Sequence, residues 1–197
     1  YPGPGWYRKK VTIPTDWKGK VPWLIFAGIH REAEVWVNGQ PAGAHHSYLT
    51  PFRIDLSPHA QSGETITIAV RVDARHRKEV DPLMGCLDTL DFLYVTWGGF
   101  HGRVRLEATQ ATRMDDLFVV PQLGAETAEI RLAIKGPRTG QLAVAAEILD
   151  ASGTVVVSVK EAIAADATEA VLPARIPNAM LWSPKTPHLY TARVRLL

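Results

Sequence analysis

The sequence predicts an all-β protein built from two β-sandwiches. Three observations support this: apolar and polar residues alternate along much of the chain, helical periodicity is nearly absent, and 15 Gly and 14 Pro separate short apolar runs. Alternation with a period of two places every second side chain on one face of a strand. Short strands between glycine and proline turns are typical of a sandwich or jelly roll, and they exclude a parallel α/β fold.

The alternation is clearest in residues 65–73, where isoleucines and valines fall on one face. The same pattern predicts strands at residues 103–108, 129–135 and 190–196. Strands with one apolar and one polar face are typical of antiparallel sheets.

Local signals predict the other elements. Residues 21–29 are apolar almost throughout, which predicts one strand covered on both faces. Asn38-Gly39 follows Val35-Trp36-Val37 and predicts a hairpin with a type I′ turn. The Ala-rich stretch 161–174 has helical propensity, but Asp166-Ala167-Thr168 indicates a turn, so we predict a β-hairpin there.

A change in composition divides the chain near residue 110. Residues 109–116 are polar and lack alternation, and a new strand is predicted from Leu117. Five of the six tryptophans precede this point. We therefore predict one domain at residues 1–110 and a second at residues 111–197. Within the first, residues 74–99 carry no pattern, and unpatterned loops of this length are usually functional.

Composition excludes several classes of function. The formal charge is only +2, with 22 Lys+Arg against 20 Asp+Glu, so no nucleic-acid partner is expected. The single cysteine, Cys86, can form neither an internal disulfide nor a thiolate zinc cluster. No apolar run is long enough to span a membrane, and the first residues do not resemble a secretion signal. We expect no membrane partner, and nothing in the sequence indicates a compartment.

Histidines give little support to a metal site. His45 and His46 are neighbours, with His30 and His101 elsewhere in the sequence. Adjacent residues on a strand point to opposite faces, so this pair cannot easily share one ion. We expect no metal and no other cofactor.

Five groups of residues, taken in order, carry a resemblance to a known family. They are Trp6-Tyr7-Arg8 with residues 11–14; residues 24–29 with 33–39; Gly43 and His45 with residues 50–56; residues 98–104; and Leu181-Trp182-Ser183-Pro184 with Pro187-His188-Leu189-Tyr190. Together they resemble the N-terminal half of glycoside hydrolase family 2, which contains β-galactosidases, β-glucuronidases and β-mannosidases. The resemblance covers nearly the whole chain.

The resemblance implies a galactose-binding-like jelly roll at residues 1–110, followed by an immunoglobulin-like β-sandwich at 111–197. Family members carry their two catalytic glutamates on a (β/α)₈ barrel after the second sandwich, and 197 residues leave no room for a barrel. We therefore expect no catalytic residue in this chain. It would scaffold the barrel of a parent β-glycosidase and line one side of its carbohydrate pocket, with the barrel and the β-glycoside as partners.

Two alternatives remain open at this point. The chain could be a free-standing carbohydrate-binding module, or an immunoglobulin-like structural or adhesion module.

Candidate site residues lie in the unpatterned segment 74–99. Taken alone, Asp81, Asp88 and Asp91 are most often solvated turn residues or caps. The resemblance singles out Asp91, because the family places an acidic residue there that reaches the active site and hydrogen-bonds sugar hydroxyls. Trp97 in the same segment is the candidate for stacking on a sugar ring. The family pattern also has an arginine where this sequence has Gly102.

The other tryptophans are expected to pack within the protein. These are Trp6, Trp17, Trp23 and Trp36 in the first domain and Trp182, predicted to lie under the last strand.

Overall fold

A computed structural model describes residues 3–47, 50–75, 98–138 and 140–197. Antiparallel strands dominate these residues, so the all-β prediction is confirmed. The chain divides into two compact units, Tyr1–Gln110 and Ala111–Leu197. No helix of the described residues is long and apolar enough to cross a membrane.

The first unit is a jelly-roll β-sandwich. Its strands are β1 (Gly5–Thr12), β2 (Lys20–Phe26), β3 (Ile29–Val37), β4 (Gln40–Ser47), β5 (Phe52–Asp55), β6 (Thr65–Asp73), β7 (Gly99–Phe100) and β8 (Val104–Gln110). One sheet has the order β1-β6-β3-β4, with β7 also paired to β3, and the other has the order β5-β2-β8.

Alternating side chains place the core of this unit between its sheets. Strand β6 begins and ends where the alternation does, and its apolar residues are almost fully buried. Buried residues of β2 and β3 meet them there. The residues with the least exposure in this core are Ile13, Phe26, Ile29, Val35, Val37, Leu56 and Ile66.

The hairpin between β3 and β4 has the predicted turn. Asn38 and Gly39 adopt φ angles of 50° and 81°, as the two central residues of a type I′ turn must. The Asn38 side-chain oxygen also accepts a hydrogen bond from the backbone N–H of Thr67, at 2.8 Å. The turn is therefore joined to the adjacent strand β6.

The prediction of one strand over residues 21–29 is wrong. Strand β2 ends at Phe26, β3 begins at Ile29, and the two belong to different sheets. Between them the Ala27 N–H donates to the Arg103 carbonyl, and the His101 N–H donates to the Gly28 carbonyl. Apolar content alone could not reveal this change of sheet, because both strands face the same core.

The second unit is an immunoglobulin-like sandwich of two three-stranded sheets. Its strands are β9 (Arg113–Gln122), β10 (Thr127–Lys135), β11 (Leu142–Leu149), β12 (Val155–Ile163), β13 (Glu169–Arg175) and β14 (Thr191–Leu196). The sheet orders are β13-β10-β9 and β12-β11-β14. The core contains Ile130, Leu132, Ile134, Val144, Ala146, Ile148, Ile163, Leu172 and Ala174.

The predicted hairpin over residues 161–174 is also wrong in its pairing. Two strands and a turn are present, and the Ala167 N–H donates to the Ala164 carbonyl. However, β12 pairs with β11, while β13 pairs with β10 in the other sheet. Ile163 and Leu172 are both buried in the core, so the connection crosses from one sheet to the other.

Candidate functional site

The predicted site residues Asp91 and Trp97 lie outside the described residues, as do Asp81, Asp88 and Cys86. The description stops at Arg75 and resumes at Gly98. The structure therefore shows two points: where the chain leaves the jelly roll before segment 76–97, and where it re-enters the jelly roll after it.

These two points lie side by side at the start of β3. A Cβ atom built on Gly98 would stand 2.2 Å from the Cβ of Ala74, so the two backbones are in direct contact. Strand β7 pairs His30 with Gly99, and β6 pairs Asp73 with Glu32. Residues 30–32 of β3 therefore lie beside both points.

A buried carboxylate organises this end of the sheet. Asp73 is fully buried, and its oxygens accept hydrogen bonds from the Nε and Nη2 atoms of Arg75, at 3.0 and 2.7 Å. The Arg75 backbone N–H donates to the same carboxylate at 3.1 Å. Arg71 donates to it at 3.0 Å and also pairs with Glu34 at 2.5 Å. Four residues thus form one network, which we call the Asp73 cluster: Glu34, Arg71, Asp73 and Arg75.

The arginines keep Asp73 ionised. Hydrogen bonds from Arg75 are the largest cause, and together with the charge of Arg71 they lower the pKa of the Asp73 carboxyl to about 2, although burial opposes them. A carboxyl with this pKa holds no proton at neutral pH, so Asp73 cannot serve as a general acid. It instead holds Arg75, the last described residue before segment 76–97.

Two further polar residues are buried beside the cluster. His30 and Arg31 are 1% and 2% exposed, at the start of β3. Groups of this kind are seldom fully buried without partners, so this corner of the fold is specified by polar interactions.

Two glycines follow segment 76–97, one with a backbone angle that disfavours side chains and one with close neighbours. Gly99 has a φ of 107°, which disfavours any side chain. A Cβ built on Gly102 would stand 2.6 Å from the Ala27 Cβ and 2.9 Å from the backbone N of Gly28. A side chain at this position would require Ala27 or the backbone of Gly28 to shift.

A row of rings crosses the jelly roll at the same end. His45 stacks on Phe52 with centroids 4.3 Å apart, and Phe52 stacks on Phe26 at 4.6 Å. Phe26 is followed by Phe100 at 6.1 Å, and Phe100 by Tyr7 at 4.5 Å in an edge contact. The row joins both sheets and fixes β7, on which segment 76–97 returns.

The histidines that the structure describes are engaged in other contacts or exposed. His45 is held by Phe52 and by a 3.1 Å hydrogen bond between its Nε2 and the Thr50 hydroxyl, while His46 is exposed and paired in register with Glu32. In the part of the chain that the structure describes, no three His, Cys, Asp or Glu residues could hold a metal ion together.

Tryptophan packing is only partly as predicted. Trp23 is buried, with its Nε1 donating to the Thr109 hydroxyl and the Arg53 guanidinium over its ring. Trp17 packs against the core, and Trp36 points away from the buried Val35 and Val37.

For Trp6 and Trp182 the packing prediction is wrong. Trp6 is 64% exposed and contacts the Trp36 ring at 5.2 Å, and Trp182 is 59% exposed. Strand periodicity does not determine these exposures, because Trp6 lies on the outer face of an edge strand and Trp182 lies outside any strand.

The Asp73 cluster was missed from the sequence, although a signal was present. Arg71, Asp73 and Arg75 alternate at the end of a strand, and this spacing is the signal, because it places all three on one face with opposite charges adjacent.

Comparison with known proteins identifies the family. The model for the sugar-binding domain of glycosyl hydrolases family 2 matches residues 1–96, and the model described as glycosyl hydrolases family 2 matches residues 112–197. A beta-galactosidase from Thermoanaerobacter pseudethanolicus is 32% identical over 196 residues, covering 98% of this chain and 26% of its own. The beta-glucuronidase of Felis catus is 29% identical over 217 residues, and the match covers 97% of this chain and 32% of the glucuronidase.

Solved structures agree with this. One of them is Bacteroides uniformis beta-glucuronidase 2, covalently bound to cyclophellitol-6-carboxylate aziridine. The match covers 100% of this chain and 24% of that chain, with a TM-score of 0.83 and 27% sequence identity. The chain thus spans about a quarter to a third of the length of these relatives. It belongs to glycosyl hydrolase family 2, and it carries the family's sugar-binding jelly roll and immunoglobulin-like sandwich.

Proposed function

We propose that residues 1–197 are the non-catalytic N-terminal part of a family 2 β-glycosidase. In this role the jelly roll at residues 1–110 walls one side of the sugar pocket, and the sandwich at 111–197 supports a catalytic barrel of the same polypeptide. The observation that carries the proposal is coverage: nearly all of this chain matches about a quarter of a beta-galactosidase. The parent enzyme would hydrolyse β-glycosides.

Within this role, Asp91 hydrogen-bonds sugar hydroxyls and Trp97 stacks on the sugar ring. The described residues that flank segment 76–97 support this assignment, since Ala74 and Gly98 are in contact and the Asp73 cluster holds Arg75. A binding residue is held most precisely where the scaffold that carries it is rigid, as the sheet beside this segment is.

The experiment that tests the site is Asp91→Asn in the polypeptide that joins these residues to a barrel. Asparagine keeps the size and removes the charge, and hydrogen bonds to charged acceptors are worth roughly 1.5 to 3 kcal/mol. Because 1.36 kcal/mol is a factor of ten in rate, we expect kcat/KM to fall by about 10- to 100-fold. Asp81→Asn and Asp88→Asn are matched controls and should change little. Equal losses in all three variants, or none in Asp91→Asn, would refute the assignment.

Two measurements on the 197-residue chain test the wider role. Turnover of an aryl β-glycoside by this chain alone would contradict a non-catalytic role, because glycoside hydrolysis canonically requires a pair of positioned carboxyl groups. Micromolar affinity for a simple glycan would instead favour the free-standing binding module. We expect weak binding or none, since a wall without its pocket buries only part of a sugar.

A further inference from the structure

Two tryptophans form an aromatic surface on the outside of the jelly roll. The rings of Trp6 on β1 and Trp36 on β3 have centroids 5.2 Å apart and are tilted by 34°, and Trp6 is 64% exposed. Exposed aromatic surface of this kind marks an interaction site. We infer that this pair, which we call the Trp6–Trp36 platform, binds an acidic saccharide, with its sugar rings on the indoles and a carboxylate at Arg8.

The register of the sheet brings the two rings together. Trp6 stands opposite Arg71 of β6, and Trp36 stands opposite Ala69 of the same strand. The two tryptophans therefore occupy diagonal positions on either side of β6. Because Ala69 carries only a methyl group, it leaves room for the indoles to meet across this strand.

The platform faces away from the core. Val35 and Val37, on either side of Trp36, are each 1% exposed, so the Trp36 ring points to the opposite face of the sheet. On β6, Val70 is buried between Ala69 and Arg71, which places these two on the same outer face. A ligand can therefore reach the indoles without any opening of the core.

Hydrogen-bonding groups adjoin the platform. Arg71 stands opposite Trp6 and pairs with Glu34, whose side chain is 46% exposed. The guanidinium supplies donors and the carboxylate supplies acceptors, and a sugar hydroxyl is both a donor and an acceptor. The apolar face of a pyranose ring can lie on an indole while its hydroxyls reach these neighbours. The surroundings of the platform thus match a saccharide.

A protein partner fits this surface less well. Protein interfaces bury roughly 800 Å² on each side, and their cores are depleted of charged residues. Here the apolar area consists mainly of two rings, and the charged Arg71 and Arg8 stand directly beside them in register.

Positive charge beside the platform selects an acidic saccharide. Arg8 and Lys10 follow Trp6 on the same face of β1, and both are exposed. Neither forms an ion pair with a described residue. Arg8 stands opposite Ala69, in line with Trp36. Because a guanidinium binds a carboxylate through two parallel hydrogen bonds, a sugar acid is favoured over a neutral sugar.

The inference does not rest on the proposed function. The platform and its neighbours are described residues of β1, β3 and β6, and they include neither Asp91 nor Trp97. The 197-residue chain should therefore bind the saccharide without a barrel. Since a flat surface covers only one side of a ligand, we expect a Kd of about 1 mM.

The test uses the isotope-labelled 197-residue chain and two forms of an unsulfated chondroitin hexasaccharide. One form is intact, and the other has its carboxyl groups reduced to alcohols, so it keeps the rings and loses the charge. Titration followed by NMR reports the Kd of each form. The indole N–H signals, assigned with Trp→Phe variants, report which tryptophans contact the sugar.

We expect saturable binding of the intact form with shifts at Trp6 and Trp36, and about threefold to tenfold weaker binding of the reduced form. Trp6→Ala should weaken binding by about threefold to tenfold, whereas Trp6→Tyr keeps a ring and should lose less than about threefold. Arg8→Glu should remove the preference for the intact form, because it places a like charge beside the carboxylate.

Two variants in the second unit are matched controls. Trp182→Ala removes a tryptophan that is 59% exposed, and Arg175→Glu reverses an exposed charge on β13. Both should bind as the unchanged chain does, and thermal unfolding should show that all variants remain folded. Absence of saturable binding, equal binding of the two hexasaccharides, or equal losses in the Trp6→Ala and Trp182→Ala variants would overturn the inference.

The position of the NMR shifts separates this inference from the proposed function. Shifts at Trp97 without shifts at Trp6 would overturn the inference and support the role of segment 76–97 in the sugar pocket. Self-association of the chain that Trp6→Ala abolishes would overturn it too, because a second copy would then be the occupant.

Discussion

At the scale of single residues, the buried ion pairs of Asp73 are the feature with the clearest energetic consequence. Asp73→Asn keeps the shape of the side chain but leaves Arg71 and Arg75 without their shared carboxylate. Breaking such a buried pair is costly, and both arginines retain some access to water, so we expect a loss of roughly 2 to 4 kcal/mol in the free energy of unfolding. Glu34→Gln is the control: Glu34 is 46% exposed, and its loss should cost less than about 1 kcal/mol. Urea denaturation measures both.

The same network predicts a pH dependence. Because the folded-state pKa of Asp73 is about 2 against an ordinary value of 3.8, its contribution is present above about pH 4 and is lost as pH falls towards 2. The stability difference between the unchanged chain and Asp73→Asn should therefore shrink across that window, by on the order of 1 to 2 kcal/mol. A difference that stays constant from pH 6 to pH 2 would show that ionisation of Asp73 contributes nothing.

Gly102 provides a test of close packing. A methyl group at this position would collide with Ala27 and with the backbone of Gly28. We expect Gly102→Ala to destabilise the first unit by about 1 to 3 kcal/mol, as overpacking does. Gly124→Ala is the control, because nothing lies within 4 Å of a Cβ built there and its φ is not positive. Equal melting temperatures for the two variants would contradict the close contact.

At the scale of elements, the ring row joins five strands: β1, β2, β4, β5 and β7. Phe26 is 1% exposed and contacts the rings of both Phe52 and Phe100. Phe26→Ala should cost about 3 to 5 kcal/mol, the range for large aromatic residues removed from a core. Phe118→Ala removes a ring that is 63% exposed in the second unit and should change stability by less than about 0.5 kcal/mol. Chemical denaturation with Trp fluorescence measures both, and similar losses would show that the row has no structural role.

The strands also show where an alternating sequence pattern predicts the fold and where it does not. Alternation predicted β6 and β10 correctly because each contributes one face to a core and the other to the surface. It failed at residues 21–29 and 161–174, where the chain passes between the sheets of a sandwich. Strand pairing depends on which sheet completes the core, and that is a long-range property.

At the scale of the whole molecule, each unit has its own core. The two sets of buried apolar residues share no member. We therefore propose that residues 1–110 and 111–197 are separately folding domains, and that each, expressed alone, unfolds in one cooperative thermal transition. Circular dichroism and calorimetry on both pieces measure this. A piece without a cooperative transition would show that its core depends on the rest of the chain.

Much of this protein could be predicted from its sequence by itself. The all-β class, the type I′ turn at Asn38-Gly39 and the inward faces of β6 and β10 follow from periodicity and turn chemistry, which are local. The family followed from ordered motifs, and the family models confirm it.

Other features follow from the packing of the sheets and not from any local pattern. Neither the contact of Ala74 with Gly98 nor the lack of room for a side chain at Gly102 can be inferred from the sequence, because both depend on residues from distant parts of the chain. The position of β1 and β8 as edge strands among the described residues has the same origin, since it depends on how distant strands pair. The roles of Asp91 and Trp97 stay predictions. Local interactions decide which residues form strands, whereas the packing of sheets decides which side chains meet.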